Sequence, residues 1–390
     1  MIKFDNKCTA CGACAQICPK HCISFEAADL GTLYPKINED ICVNCGMCEN
    51  VCPIHIELKQ PSNQKAFAVV HNDSKILLGS SSGGFFSALA QLVIGQNGIV
   101  YGCAFDKNMN PVTIGVDSVE ELYKLRGSKY VQSDTTSAFI KVKTDLLEGR
   151  PVLFTGTPCQ VAGLKSFLGK PYDHLICVDL ICHGVPSSQY FLDYLHHLEH
   201  KTGSKIQGFN FRDKRTKGWG LSGTYEGTRE GTCEKYTHKL FYFQSYYYSY
   251  FLHGETYRES CYSCKYASLN RVGDFTMGDL WGAEGMRLPF SVEGGCSLVI
   301  ANSIKAQELL NALEIQYAEV PLEVAVRYNQ QLQTPSECPR HREDRIKEYK
   351  VNSAEEIERY FFQAYRKANC IAKLKYLTPM WLKKILLRFR

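Results

Sequence analysis

The sequence predicts two unlike folds in one chain: a small α+β module built on an internal cysteine repeat, and behind it a larger α/β domain. Cys8, Cys11, Cys14 and Cys18 are spaced C-x2-C-x2-C-x3-C-P, and Cys42, Cys45, Cys48 and Cys52 repeat that spacing. After a polar stretch with a proline, KQPSNQK (59–65), short apolar runs begin to alternate with helical patterns, as in a sheet with helices packed on it. The 390 residues, 45% of them hydrophobic, suffice for two or three domains with cores of their own.

The repeat agrees at every cysteine, at the closing Pro19 and Pro53, and at Gly12 against Gly46. Three cysteines three residues apart sit on one tight loop and grip three corners of a cubane, while the fourth points toward the other cluster. Cys8, Cys11, Cys14 and Cys52 are therefore expected to hold one [4Fe-4S] cluster. Cys42, Cys45, Cys48 and Cys18 are expected to hold a second, in a dicluster ferredoxin domain over residues 1–60. Structural zinc sites do not account for the pattern, because zinc usually takes its four ligands as two separated pairs. Gly12 and Gly46 suit a loop that packs close to sulfide, and the prolines fix the chain's exit. Cys22 lies outside the pattern, opposite Ile56 in the repeat, and reads as a small packed hydrophobe.

Nineteen cysteines are too many for an ordinary enzyme. Residues 1–20 have no apolar core, so nothing there reads as a signal peptide, and no run of about 18 apolar residues suggests a membrane span. The expectation is metal or redox chemistry in a reducing, cytoplasmic setting. A net charge of +5 is too small to argue for nucleic acid as a partner.

In the larger domain, AFAVV (66–70) is a short apolar run, 85–95 reads as a helix and 98–105 as a strand. VLFTG (152–156) precedes a helix near 161–168, and LICVDLIC (175–182) precedes another near 188–198. Ligands of such sheets gather beyond the carboxyl ends of the strands, where three polar sequences fall. Gly79 to Gly84, GSSSGG, suits a phosphate. It is neither G-x-G-x-x-G nor a Walker loop, and a serine N-cap with flexible glycines accounts for it equally well. Thr155 to Gln160 places Cys159 just before a helix, where the dipole lowers thiol pKa. Cys182-His183-Gly184 follows a strand, and His183 is open as acid, ligand or structural donor. Arg126 to Val131 fits an anionic cofactor or a surface turn. Cys261 and Cys264 form a C-x2-C pair, half of a cluster, half of a zinc site, or a dithiol couple. Gly273 to Gly282 holds two acids and three glycines and reads as a constrained active-site turn. The aromatic run 241–257 reads as a packed helix.

With these motifs in order, SSSGGFFSAL, RGSKYVQS, TGTPCQVAGL, ICHGVPS and RESCYSCKYA leading to RVGDFTMGDLWG, residues 66–345 resemble the coenzyme F420 hydrogenase/dehydrogenase beta-subunit family. The resemblance implies an α/β flavin-binding domain over 65–345 that binds FAD and a third [4Fe-4S] cluster. It implies flavin contacts at Ser82, Gly83, Gly84, Lys129, Thr155 and Thr157. It implies cluster ligation by Cys261 and Cys264 with Cys159 and Cys182, for which Cys103, Cys177 and Cys296 compete. Electrons would then pass from the ferredoxin-type clusters through FAD to a two-electron acceptor, by hydride transfer or double-bond reduction. A flavin joins the regimes because clusters move one electron at a time and hydride chemistry moves two. Reduced ferredoxin or another donor, and a small-molecule or deazaflavin acceptor, are the expected partners. An electron-transfer subunit of a larger complex and a non-catalytic cluster-bearing protein are the alternatives. No residue is singled out as catalytic acid or base.

Residues 350–390 read as a helical basic tail, with an amphipathic helix over 354–369. Its end sets Trp381, Leu382, Ile385, Leu386 and Phe389 among Lys383, Lys384, Arg388 and Arg390. Such an end suits an anionic membrane surface, here the inner face, or docking on its own domain or a partner.

Overall fold

A computed structural model describes residues 5–378; the basic stretch from Trp381 to Arg390 lies outside the described residues. In the N-terminal module each cysteine loop runs into a short helix, Ala13–Ile17 or Met47–Asn50. Each helix is entered through the glycine of the repeat, Gly12 at φ 80° and Gly46 at φ 74°. A side chain would be strained in that left-handed conformation, which gives the repeated glycine a backbone reason. Strands β1 (Ile23–Ala27) and β2 (Leu33–Ile37) pair antiparallel, Ile23 opposite Ile37, and complete the α+β module.

The larger domain opens with β3 (Lys65–His71), β4 (Ile99–Phe105), β5 (Pro111–Val116), β6 (Val152–Gly156) and β7 (Leu175–Leu180). A separate three-stranded antiparallel sheet follows, β8 (Ser204–Asn210), β9 (Ser222–Arg229) and β10 (Lys235–Phe241), which the sequence pattern did not predict. Then come β11 (Phe275–Asp279), β12 (Ser297–Ala301) and β13 (Ile315–Val320). The main sheet has eight strands in the order β13-β3-β12-β11-β7-β6-β4-β5. It is mixed: β11-β7-β6-β4 are parallel, and β5, β12 and β13 run against them. Because β3 is antiparallel to β12, it points the same way as β11. The chain segments leaving β3, β4, β6, β7 and β11 therefore gather at one edge, together with the start of β12.

One face of the sheet buries Val69, Val100, Leu153, Val178 and Phe275 against the helix Phe85–Gly95. The other buries Val152, Phe154 and Cys177 under the helices Ala138–Leu147 and Pro158–Leu168, and Cys11, Ala13 and Val51 of the module join that same core. The module is thus packed into the larger domain and is not merely tethered to it. Gln64, at the end of the expected linker, is itself held by the Leu269 carbonyl and Asn302.

Two expected boundaries change. The helix Arg342–Val351 runs across the division between the domain at 65–345 and the tail at 350–390. The expected helix 354–369 is two, Ala354–Ala364 and Arg366–Leu377, broken at Tyr365. Ile346, Ile357 and Phe361 are buried with Tyr246, Tyr247, Tyr248 and Tyr250 of the aromatic helix Tyr246–Leu252, so the described part of the tail belongs to the domain's core. Among the described residues no helix is long and apolar enough to cross a membrane.

At the middle of the sheet Asp179 on β7 sits opposite Thr276 on β11, and its side chain is wholly buried with that of Arg271. Arg271 Nη2 and Nε donate to Asp179 Oδ1 at 2.5 and 3.1 Å, and the Val272 and Gly273 amides donate to Oδ2 at 3.1 and 2.8 Å. Removing one partner of a buried pair leaves the other charge uncompensated. Arg271→Met is expected to lower the unfolding free energy by about 3–5 kcal/mol, read as a shift in the urea midpoint of the metal-free chain.

Candidate iron–sulfur centres

The structure gathers the repeat's cysteines in the crossed arrangement that the spacing predicts. Cys8, Cys11, Cys14 and Cys52 line one cavity of about 280 Å³. Cys18, Cys42, Cys45 and Cys48 line a second, narrower one of about 20 Å³. None of these cysteines is in a disulfide. Among the described residues no three His, Cys, Asp or Glu side chains converge on a single-ion site. The first four sulfurs instead ring a space, as ligands of a cubane must, each on its own iron. That donor set and cavity fit a [4Fe-4S] cluster. Cys22 is buried as expected, but it is more than packing: its Sγ lies 3.4 Å from that of Cys18, and it lines the second cavity as a fifth thiol.

Backbone carbonyls hold the module to the domain. Arg258, 2% exposed, donates from Nε to the Cys8 carbonyl at 2.8 Å and from Nη2 to the Leu33 carbonyl at 2.7 Å, and stacks over Tyr34. Gln132 donates to the Thr9 carbonyl, Thr135 to the Cys11 carbonyl, and Ser166 to the Val51 carbonyl. Lys265 donates to the carbonyls of Pro53, Ile54 and Ile56. With loop carbonyls turned outward onto these donors, the opposite side of each peptide unit is left to face the thiols. None of these donors announces itself in the sequence; each becomes visible only when elements more than a hundred residues apart are brought together.

Cys159, Cys182, Cys261 and Cys264 line a third cavity of about 30 Å³ at the strand-end edge. Cys159 follows β6, Cys182 follows β7, and the C-x2-C pair closes over them. Cys103, Cys177 and Cys296 lie elsewhere: Cys103 on β4, Cys177 inside β7, and Cys296 at the start of β12. Burial pushes the Cys261 thiol up to about 12 and Cys264 to about 11. The helix-dipole expectation for Cys159 is reversed, because desolvation raises its pKa despite the hydrogen bond it shares with Thr157. Buried thiols of this kind ionise when a metal centre replaces their protons, and a four-thiol donor set matches a [4Fe-4S] cluster. Thr9 lines both the first and third cavities, so the two are neighbours.

The six residues expected to contact a flavin are placed as follows. Ser128 N–H donates to Ser81 Oγ at 2.8 Å, joining the 79–84 and 126–131 loops. Ser82 Oγ donates to the Cys296 carbonyl. A Cβ at Gly83 would sit 2.0 Å from the Val69 carbonyl, and Gly84 has φ 89° as the residue before the helix, so both glycines have structural reasons. Lys129 Nζ donates to the Lys124 and Arg126 carbonyls, and burial lowers its ammonium to about 8. Thr155 donates to the Tyr101 carbonyl. Thr157 caps its helix through Gln160 and touches Cys159 Sγ at 3.1 Å, which places it at the third thiol group. These polar side chains are bonded within the chain. In the 273–282 turn, Asp274 accepts from the Cys177 amide. Asp279 pairs with Arg212 and accepts from Trp219 Nε1, and Trp219 stacks on Trp281 at 5.3 Å. Both acids are thus structural here. His183 lines the third cavity, with its imidazolium disfavoured by burial.

The paired repeat and its two thiol groups define an iron–sulfur protein. Residues 7–56 match the family model of the 4Fe-4S dicluster domain, and residues 149–323 match that of the C terminus of the coenzyme F420 hydrogenase/dehydrogenase beta chain. Residues 149–323 are thus similar to the C-terminal part of coenzyme F420 hydrogenase/dehydrogenase beta subunits, and a dicluster domain stands ahead of them. A protein named coenzyme F420-dependent sulfite reductase from Methanocaldococcus jannaschii is 30% identical over 198 residues, which cover 50% of this chain and 30% of that protein. The chain therefore spans under a third of that relative's length. A chain of the F420-reducing [NiFe] hydrogenase complex from Methanosarcina barkeri, solved with xenon, is similar over 68% of this chain and 84% of its own, at 18% identity and a TM-score of 0.40.

Gly163 marks the contact between helix 158–168 and the first thiol group. A Cβ there would lie 2.8 Å from Cys11 Sγ and 2.9 Å from Cys11 Cβ. Alanine in a helix normally gains about 0.5–1 kcal/mol over glycine. Here Gly163→Ala is expected instead to displace Cys11 and to cost about four irons per chain, one cubane's worth, measured by iron assay after anaerobic reconstitution.

Proposed function

We propose that the chain is an iron–sulfur electron-transfer oxidoreductase that takes electrons in at the outer face of its N-terminal module and delivers them to a two-electron acceptor at the strand-end edge of the main sheet. One observation carries this reading: a third group of four cysteines stands at that edge and shares Thr9 with the first group. The thiol groups thus follow one another inward from the exposed Cys45 to the edge. Bound clusters supply one-electron relays whose potentials depend on hydrogen bonds and solvent exposure.

The chain's own residues set that environment. Ile41 and Val43 are exposed beside the outer thiol group and offer a small apolar surface to reduced ferredoxin or a similar donor. Arg258, Gln132 and Lys265 hold the inner loop in place, and the Arg271–Asp179 pair holds the loop of Cys264. FAD belongs to the reading as the converter between one- and two-electron chemistry. The joined loops 79–84 and 126–131 are where the chain would hold it, through backbone amides and the Gly127 turn, since Ser82, Lys129 and Thr155 are bonded internally. The acceptor is a small molecule or a deazaflavin.

The sulfite reductase relative continues far beyond the matched segment, which favours a second reading, an electron-transfer unit whose acceptor chemistry lies on another polypeptide.

Anaerobic reconstitution followed by iron and released-flavin assays on one sample tests the proposal. About twelve irons and one FAD per chain are expected, at four irons per cubane, and Cys264→Ser is expected to remove about four of them. About eight irons and no flavin would leave only the N-terminal module and overturn the flavoenzyme reading.

A further inference from the structure

Tyr266 stands two residues past Cys264, on the loop that Arg271 anchors through the Tyr266 carbonyl at 2.8 Å. Its side chain is 2% exposed and lines the third cavity beside Cys159, Cys182, Cys261 and Cys264. Its hydroxyl is buried with no hydrogen-bond partner among the described residues. Tyr236 shares this condition, whereas Tyr247 donates to the Tyr130 carbonyl, Tyr248 to that of Phe211, Tyr262 to that of Gly254, and Tyr101 to Asp145. An unpaired buried hydroxyl costs about 1–3 kcal/mol and calls for an explanation. The cavity that it lines is shared with four thiols.

We propose that Tyr266 is a positioning residue for electron transfer, its hydroxyl donating a hydrogen bond to a sulfur of the cluster held by Cys159, Cys182, Cys261 and Cys264. The proposal rests on the third cluster of the function proposed above. Its physical effect has a definite sign. Reduction adds one negative charge to the cluster, and a donor to sulfur stabilises the more negative form. The hydroxyl therefore raises the reduction potential of the third cluster and favours the passage of an electron onto it from the first. In this role the tyrosine gives up neither proton nor electron.

Tyr266→Phe removes the hydroxyl alone. In the metal-free chain that hydroxyl is unpaired and costs stability, so the variant is expected to unfold at a higher urea concentration than the wild type. In the full-length chain reconstituted anaerobically, iron content is expected to match the wild type at about twelve. A potentiometric titration followed by EPR is expected to show the third cluster harder to reduce. Its reduced-to-oxidised ratio at a fixed potential should fall about tenfold, which is about 59 mV for a one-electron couple, while the two N-terminal clusters keep their potentials. Equal iron and an unmoved third potential would overturn the role of Tyr266. About eight irons in the wild type itself would remove the third cluster and the inference with it, an outcome distinct from the first. If the phenylalanine variant alone loses iron, 3-fluorotyrosine at position 266, with a more acidic hydroxyl, is expected to move the potential upward; no movement there would also overturn the proposal.

Discussion

The buried pair of Asp179 and Arg271 is the constraint on which the rest of the molecule depends. It lies where β7 meets β11, with both side chains out of water, so every remaining polar atom of the pair has to be satisfied locally. Asp179 meets this need by accepting the Val272 and Gly273 amides, and Arg271 by reaching the carbonyls of Tyr266, Ser268 and Leu180. The strand that leads to Cys182 and the loop that carries Cys264 are thereby held in one frame. A thiol group assembled from three distant segments requires that kind of fixed reference, because spacing in sequence cannot supply it.

The same logic governs the joint between module and domain. A free-standing carrier would expose its loop carbonyls to water. Here the carbonyls of Cys8, Thr9, Cys11 and Val51 are taken by Arg258, Gln132, Thr135 and Ser166, and Cys11 packs against Gly163 in the domain's own core. The first thiol group is thus shielded while Cys45 of the second remains exposed. Solvent access and hydrogen bonding to sulfur are among the quantities that set cluster potentials, so the two thiol groups stand in unlike environments.

The strand-end edge shows how a motif can be informative for reasons other than those first attached to it. GSSSGG and RGSKYV do meet, through Ser81 and Ser128. Yet Gly83 is required by the approach of Val69 and Ser297, and Lys129 ties down the turn that precedes it. The acids of the 273–282 turn likewise hold the Cys177 amide and the Arg212–Trp219–Trp281 stack.

What the sequence determined by itself was whatever depends on local spacing. The doubled C-x2-C-x2-C-x3-C-P pattern defines a short loop, its αL glycine and the crossed sharing of ligands. The apolar runs at 66–70, 98–105, 152–156 and 175–182 became β3, β4, β6 and β7 because short apolar runs bounded by turns read as strands whatever surrounds them. Only the tertiary structure decided the rest. The antiparallel strands that make the sheet mixed, the second small sheet, the docking of helices 354–364 and 366–377 onto the aromatic core, and the roles of Arg258, Gly163 and Tyr266 all arise from contacts between segments far apart in the chain. A lone arginine, glycine or tyrosine carries no periodicity and no spacing. Its meaning is set by which carbonyl, sulfur or thiol the fold brings against it.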